Sequence, residues 1–318
     1  MVPARSLRVT VTMLACAAAL AACTREAAAP PVDPAAQAAY EQSQADWRAQ
    51  RLADLTTPDG WTSLIGLHWL DPGTHRVGSD VDNGIRLSMG PDHLGLFTVR
   101  GGRVDFVADT AVTLDGQPGR RARLRTDKDP AGATEIAFDG GKGLANVIER
   151  GGRLALRVKH ADADSRLRFT GLSYWPGGPS WQVQARFVAH PAGRTLPIVN
   201  IIGSTDEVPN PGALEFEHGG KPYRLEALTD GTDGLFLVFA DRTSGHGSYG
   251  AGRYIDAAAP DAQGRVLIDF NRAYNPPCAF TPFATCPLPP PENRLDLAVE
   301  AGERDYAKPK PLSPEDMP

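Results

Sequence analysis

The chain has 318 residues, 42% of them hydrophobic, with 33 basic against 38 acidic side chains and a formal charge of −5. It is long enough to bury a full core or to form two domains. Mild acidity without a basic run argues against nucleic acid as a partner, and after Ala22 no stretch approaches the roughly eighteen apolar residues of a spanning helix.

Arg5 and Arg8 precede an apolar run, Val9 to Ala22, that is too short to span a bilayer. The run ends in Leu20, Ala21, Ala22 and Cys23, which resembles a bacterial lipobox, where the cysteine is acylated and becomes the new first residue. Cleavage at Cys16 would leave an apolar core of only about eight residues, so Cys23 is the expected lipidation site, with an ordinary secretory peptide as the alternative. Thr24 in place of Asp is similar to the outer-membrane-directed pattern of Gram-negative lipoproteins. The reading is a signal peptide over 1–22, an Ala- and Pro-rich tether over 23–34, and a lipid anchor in the cell envelope. The expected location is the periplasmic face of the outer membrane, because several acyl chains hold firmly where one binds marginally. Loss of Arg5 and Arg8 with the leader leaves 31 basic against 38 acidic residues, a charge of −7.

Residues 35–59 read as one short helix. Tyr40, Trp47, Leu52 and Leu55 fall at helical spacing, and Asp59 and Gly60 end it. Trp47 is expected to pack on the globular body, because an isolated helix of this length is marginal in water. Trp61, Trp69 and Leu70 read as core, and His68 as a buried, hydrogen-bonded histidine.

The rest predicts an all-β protein of two antiparallel sandwich or barrel halves. In the first, over 60–170, GIRLSM, LGLFTVR, RVDFVAD, AVTLDG, RARLRTD, TEIAFDG, LANVIER and RLALRVKH are short strands separated by regularly spaced turns. VGSDVDNGIRL with PDHLGLFTVRGGRVDF is similar to the opening of a forkhead-associated sandwich. The likeness concerns fold only: Ser79 follows Gly78 where such domains carry an arginine, and His93 lacks its serine, so phosphopeptide reading is not expected. GLSYWPGGPSW marks the boundary. The second half, over 171–306, contains VQARFVAH, LPIVNIIG, ALEFEHGG, KPYRLEAL and GLFLVFAD, with a hairpin turn at His218 and Gly219 and GLFLVFAD as a central strand ending at Asp241. Residues 307–318 read as a disordered tail.

Gly245, Gly247 and Gly250 match a dinucleotide pattern but lead into a strand, not a helix, so a tight loop is expected and no cofactor. Ser248 beside His246 lacks the glycine spacing of a nucleophile elbow. There is no HExxH, paired CxxC or calcium-loop spacing, and no metal is expected.

The most distinctive stretch runs from Asp269 to Leu295. Seven prolines between Pro276 and Pro291 remove backbone donors and stiffen it, and a long rigid loop is more than a connector. This stretch, DRTSGHGSYGAGRYI (241–255) and GWTSLIGLHWLDPG (60–73) resemble the DUF1684 family over roughly Trp47 to Glu303. That resemblance implies a fold and favoured positions but no established activity.

Strand alternation puts Asp269 and Asn271 on one face, with Arg253 as the expected counter-ion. One reading has the three pin the proline loop. The other has them line a pocket closed by Tyr249, Arg272, Asn275, Asn293 and Arg294, suited to a small polar or anionic ligand. Cys278 and Cys286, the cysteines left once Cys23 is acylated, are most simply a disulfide in an oxidising envelope. Three functions follow: a lipid-anchored ligand-binding protein, an envelope hydrolase using Asp269 or Asp241 as acid or base, and a purely structural module.

Overall fold

In a computed structural model of the chain, residues 33–309 are described apart from Asp230 and Thr232. The expected leader, Cys23, most of the tether and the tail from residue 310 lie outside the described residues.

The chain divides into two compact units, residues 1–42 and 43–318. Helix α1 (Pro34–Leu55) begins in the first. Asp33 Oδ1 accepts the Ala35 amide at 3.0 Å, and Pro34 supplies a helix-compatible φ at a position needing no donor. Gln37 and Glu41 are paired at i,i+4.

Everything from Ser43 onward belongs to the second unit, and here α1 carries its buried face. Trp47 meets Tyr174 edge-on at 6.5 Å, and Leu55, 1% exposed, joins Ala279, Phe280 and Tyr306 in a small apolar cluster.

The first lobe is one continuous sheet of nine strands: β1 (Leu64–Trp69), β2 (Gly73–Gly78), β3 (Ile85–Arg86), β4 (Gly95–Arg100), β5 (Arg103–Leu114), β6 (Gln117–Leu124), β7 (Ile136–Phe138), β8 (Gly143–Arg150) and β9 (Arg153–His160). The order is β1-β9-β8-β7-β5-β4-β2-β3, with β6 on β5. RVDFVAD and AVTLDG form one strand, β5, whose register with β6 breaks between Val107 and Val112. Such an irregularity bends the strand, so one strand can serve two stretches of a sheet that curls toward a barrel. The β2–β3 pair is parallel, an exception to the expected antiparallel pairing. Inward residues such as Phe97, Phe106, Phe138, Val147 and Leu156 make a core of their own.

Trp61 and Trp69 do not join that core. Each is half-buried on the surface, Trp69 beneath the Arg153 guanidinium at 4.2 Å and Trp61 near Arg157 at 5.5 Å. His68 departs from expectation as well: its Nε2 is buried with no hydrogen-bond partner among the described residues, and desolvation holds its pKa below the usual histidine value.

A short helix, α2 (Asp164–Leu167), leads to the second lobe. Its strands are β10 (Gln182–Ala189), β11 (Thr195–Val199), β12 (Thr205–Pro209), β13 (Gly212–His218), β14 (Lys221–Ala227), β15 (Leu235–Phe239), β16 (Arg253–Ala257) and β17 (Arg265–Asp269). β12, a charged strand of alternating exposure, is additional to the strands that the sequence predicts. Gly219 and Gly220, both at positive φ, close the β13–β14 hairpin in two residues.

Four strands form a sheet in the order β14-β13-β10-β17, and β15–β16 and β11–β12 are separate two-stranded ribbons. Val183, Ala185, Leu214, Phe216, Leu225 and Ile268 from the sheet meet Leu237, Phe239 and Ile255 from the β15–β16 ribbon in a second core. The two lobes therefore bury separate cores.

β15 is as buried as its apolar run implies, but it is not a central strand: it ladders with β16 alone. On its other side it has a bridge with Leu228 and the proline arm, where Asn293 Nδ2 donates to Val238 O at 2.9 Å and the arm pairs with Ala240 just past the strand. Ala240 N donates to Asn293 O at 3.0 Å and Leu295 N to Ala240 O at 2.8 Å. The arm itself is packed down, with Cys278, Ala279, Ala284, Cys286 and Pro289 buried.

Candidate functional site

The eight residues expected to converge on a pocket are placed in several separate networks. Arg253 is 1% exposed, and its carboxylate partner is Asp241, not Asp269: Nη2 donates to Asp241 Oδ2 at 2.7 Å. The same guanidinium donates to the backbone oxygens of Val299 (2.9 Å), Glu303 (3.3 Å) and Ala301. Burial pulls the Arg253 pKa down and Asp241 opposes that shift. Arg253 lies in the β15–β16 ribbon and Asp269 in the four-stranded sheet, two layers of one sandwich, which is why strands close in sequence do not bring them together.

Asp269 instead closes its own strand. Its Oδ1 accepts Asn271 N at 3.0 Å and Asn271 Nδ2 at 2.9 Å, capping a single 3-10 turn and ending the strand alternation assumed for Asn271. Oδ2 accepts Gln44 Nε2 of α1 at 2.8 Å and Gln182 Nε2 at 2.9 Å.

Asn271 also exchanges hydrogen bonds with Gly178, and Arg272 donates to Ser43 Oγ at 2.6 Å. Asn275 N donates to Glu303 Oε2 at 2.7 Å, and Nδ2 to Arg304 O at 2.7 Å. Glu303, with a fully buried side chain, also accepts Arg51 Nε at 2.8 Å. Asn293 bridges two strands through Glu226 and Val238, and Tyr249 OH donates to Cys278 O at 3.2 Å. Arg294 is exposed. Asp241 accepts from Thr243, Val299 and Arg253 and its side chain is 0% exposed, so it cannot reach a substrate.

Cys278 and Cys286 are free thiols in this structure, not the expected disulfide. Cys278 N donates to Cys286 Sγ at 3.1 Å. The hydrogen bond between the two thiols holds the Cys278 pKa down and the Cys286 pKa up.

An open cavity lies elsewhere, on the outward face of the four-stranded sheet. It measures about 830 Å³ and is walled by Gln182, Gln184 and Arg186 of β10, Glu215 and Glu217 of β13, and Arg224 of β14. These residues alternate with the core residues Val183, Ala185, Leu214, Phe216 and Leu225, so one period-two pattern builds the core behind the sheet and the groove in front of it.

Along one wall the charges neutralise one another. Arg186 pairs with Glu215, Glu215 accepts Arg224 Nη1 at 2.7 Å, and Arg224 Nε reaches Glu226 at 3.3 Å. Glu226 accepts His190 at 2.6 Å, and Arg194 lies 3.1 Å from His190 Nδ1. A guanidinium only donates, so Nδ1 accepts and the proton sits on Nε2, facing Glu226. Burial pushes the Glu226 carboxyl up, but the hydrogen bonds from His190 and Asn210 outweigh it and its pKa is lowered.

One step toward the hairpin the groups are uncommitted. Ser180 Oγ, the Gln184 amide and the Glu217 carboxylate have no protein partner among the described residues, while Gln182 is held through its Nε2 by Asp269. His218 stacks on Trp181 at 4.3 Å and closes that end. The signal for this site was present in the alternation of QVQAR and LEFEH. No group of three or more His, Cys, Asp or Glu side chains among the described residues could hold a metal ion.

The fold and groove define a two-lobed all-β protein with an open polar sheet face in its second lobe. The family described as "Protein of unknown function (DUF1684)" matches residues 167–304, a span that contains the whole groove, and the chain belongs to this family. It is similar to an uncharacterised protein of Haloarcula marismortui solved by solution NMR, at 35% identity over 44% of this chain and 78% of that chain, with a TM-score of 0.36. The curated proteins contain no match.

Proposed function

We propose that the protein is a non-catalytic binding module, lipid-anchored at Cys23 in the cell envelope, that holds a small, hydroxyl-rich, uncharged ligand in the sheet groove. The observation that carries this reading is the division of the groove into a row of mutually neutralised charges and a row of uncommitted amide, hydroxyl and carboxylate groups. Both arginines that line the groove are balanced by Glu215 and Glu226 with no unpaired cation beside them, and an unpaired Glu217 repels an anion. An amide and a carboxylate on neighbouring strands can accept and donate to adjacent hydroxyls, as a sugar or polyol presents them.

The buried, saturated state of Asp241 and the capping role of Asp269 speak against either as a catalytic acid or base. Calorimetric titration with a panel of neutral oligosaccharides and polyols tests the ligand class. Saturable binding that drops at least about tenfold in both Gln184→Ala and Glu217→Ala, with melting temperature unchanged, is the expected result. Binding that favours anionic ligands, or survives both substitutions, overturns it. For the anchor, Cys23→Ser is expected to move the protein from the membrane to the soluble fraction.

A further inference from the structure

A second cavity, of about 700 Å³, opens between the two β lobes and shares no lining residue with the sheet groove. Its floor is apolar. Ile198, Val208, Leu228 and Phe236 belong to the cluster that the proline arm completes, and Pro287 adds to the same surface. Ligand sites favour such places, where an apolar cleft between packed bodies carries a few directed polar groups.

The opposite wall comes from the first lobe and carries two cations, Arg150 and Lys128, against one carboxylate, Asp127, which pairs with Arg150. Arg150, at the end of β8, donates from Nε to Thr285 Oγ1 at 3.1 Å and from Nη1 to Asp127 Oδ2 at 2.5 Å and Glu149 O at 2.6 Å. These bonds fix the guanidinium across the boundary between the lobes and leave Nη2 without a protein acceptor among the described residues. Lys128 lines the same mouth and forms no ion pair among the described residues. Asp206 and Glu207 stand on the β12 side, so an anion is steered away from that strand and toward Arg150.

We infer that this cleft is a binding site for a monomeric amphiphile, with its apolar chain along Val208 and Phe236 and its anionic head on Arg150 Nη2 and Lys128. A guanidinium edge over an apolar floor suits a carboxylate or phosphate carried on a hydrocarbon chain.

The test titrates the full chain carrying Cys23→Ser with decanoate and with decyl maltoside, both below their micelle concentrations, and measures co-sedimentation with phosphatidylglycerol vesicles. Decanoate is expected to bind saturably at one site, at least about tenfold more tightly than the neutral-headed maltoside. Val208→Trp fills the floor and should weaken both ligands by at least about tenfold. Arg150→Gln should abolish the preference for decanoate while weaker chain binding remains. Because Arg150 also ties the lobes together, Lys128→Ala on the exposed rim is the second variant, expected to reduce that preference with no change in melting temperature. The inference is overturned if decanoate monomers do not bind saturably, if the two heads bind equally, if Val208→Trp changes nothing, or if binding is confined to vesicles.

Discussion

Replacing Arg253 by Met should be among the most damaging single changes in the second lobe. The guanidinium is 1% exposed and satisfies the Asp241 carboxylate together with the backbone oxygens of Val299, Ala301 and Glu303. Methionine fills much of the space but supplies no donor. The buried carboxylate then loses its counter-charge, a loss that typically costs about 3–5 kcal/mol, and three carbonyls lose a charged donor. Against a whole-domain stability of roughly 5–15 kcal/mol, a destabilisation of about 4 kcal/mol removes a large share. The expected readout is a fall in the urea midpoint with little change in slope. The double variant Arg253→Met/Asp241→Leu should be milder than the single by at least about 1.5 kcal/mol, because no bare carboxylate remains. It should still lie below wild type, because the carbonyls stay unpaired. A loss under about 1 kcal/mol in the single variant, or a double variant equal to the sum of the two singles, would refute the argument.

Gly302→Ala should destabilise by about 2 kcal/mol or more in the same assay, because Gly302 sits at φ +78° and a Cβ there would lie 2.5 Å from Ala273 O. His68 gives a pH signature. Its folded pKa is lowered from 6.5, so the unfolded chain takes up a proton first and stability falls as pH drops from about 6.5 toward the folded value, with no contribution above. His68→Leu should flatten that part of the melting-temperature profile between pH 8 and pH 5, and an unchanged slope would assign it to another group. Cys278 and Cys286, 7% and 4% exposed, should resist iodoacetamide in the native protein and react once it is unfolded, as read by peptide mass. Rapid native labelling of either would contradict their burial.

The all-β class, the N-terminal helix and the hairpin at Gly219 were legible because each is written in local pattern: turn residues at regular spacing, helical periodicity around Trp47, and a Gly-Gly pair between two apolar runs. Pairing between strands is not local. Arg253 and Asp269 stand sixteen positions apart on consecutive strands, yet the chain changes layer between them, and nothing in either strand announces the change. The true partner, Asp241, was visible only as the end of an apolar run. The groove was missed for a related reason: QVQAR and LEFEH mark one polar and one apolar face, but whether another layer covers the polar face is decided by the whole topology. Residue type alone points Trp69 to the core, but the neighbouring strand offers Arg153 as its cover.

Asn293 completes the lobe with a side chain where a strand would otherwise be needed. Its Oδ1 accepts Glu226 N at 2.6 Å, and its Nδ2 donates to Glu226 O and Val238 O, each at 2.9 Å. One amide thus stitches the end of β14 to β15, and the flanking Pro289, Pro290 and Pro291 offer no N–H to a newcomer. The border most open to recruiting a foreign strand is therefore sealed by a segment unable to propagate a ladder. An apolar strand as aggregation-prone as LFLVF can then reside beside the surface without templating fibrils.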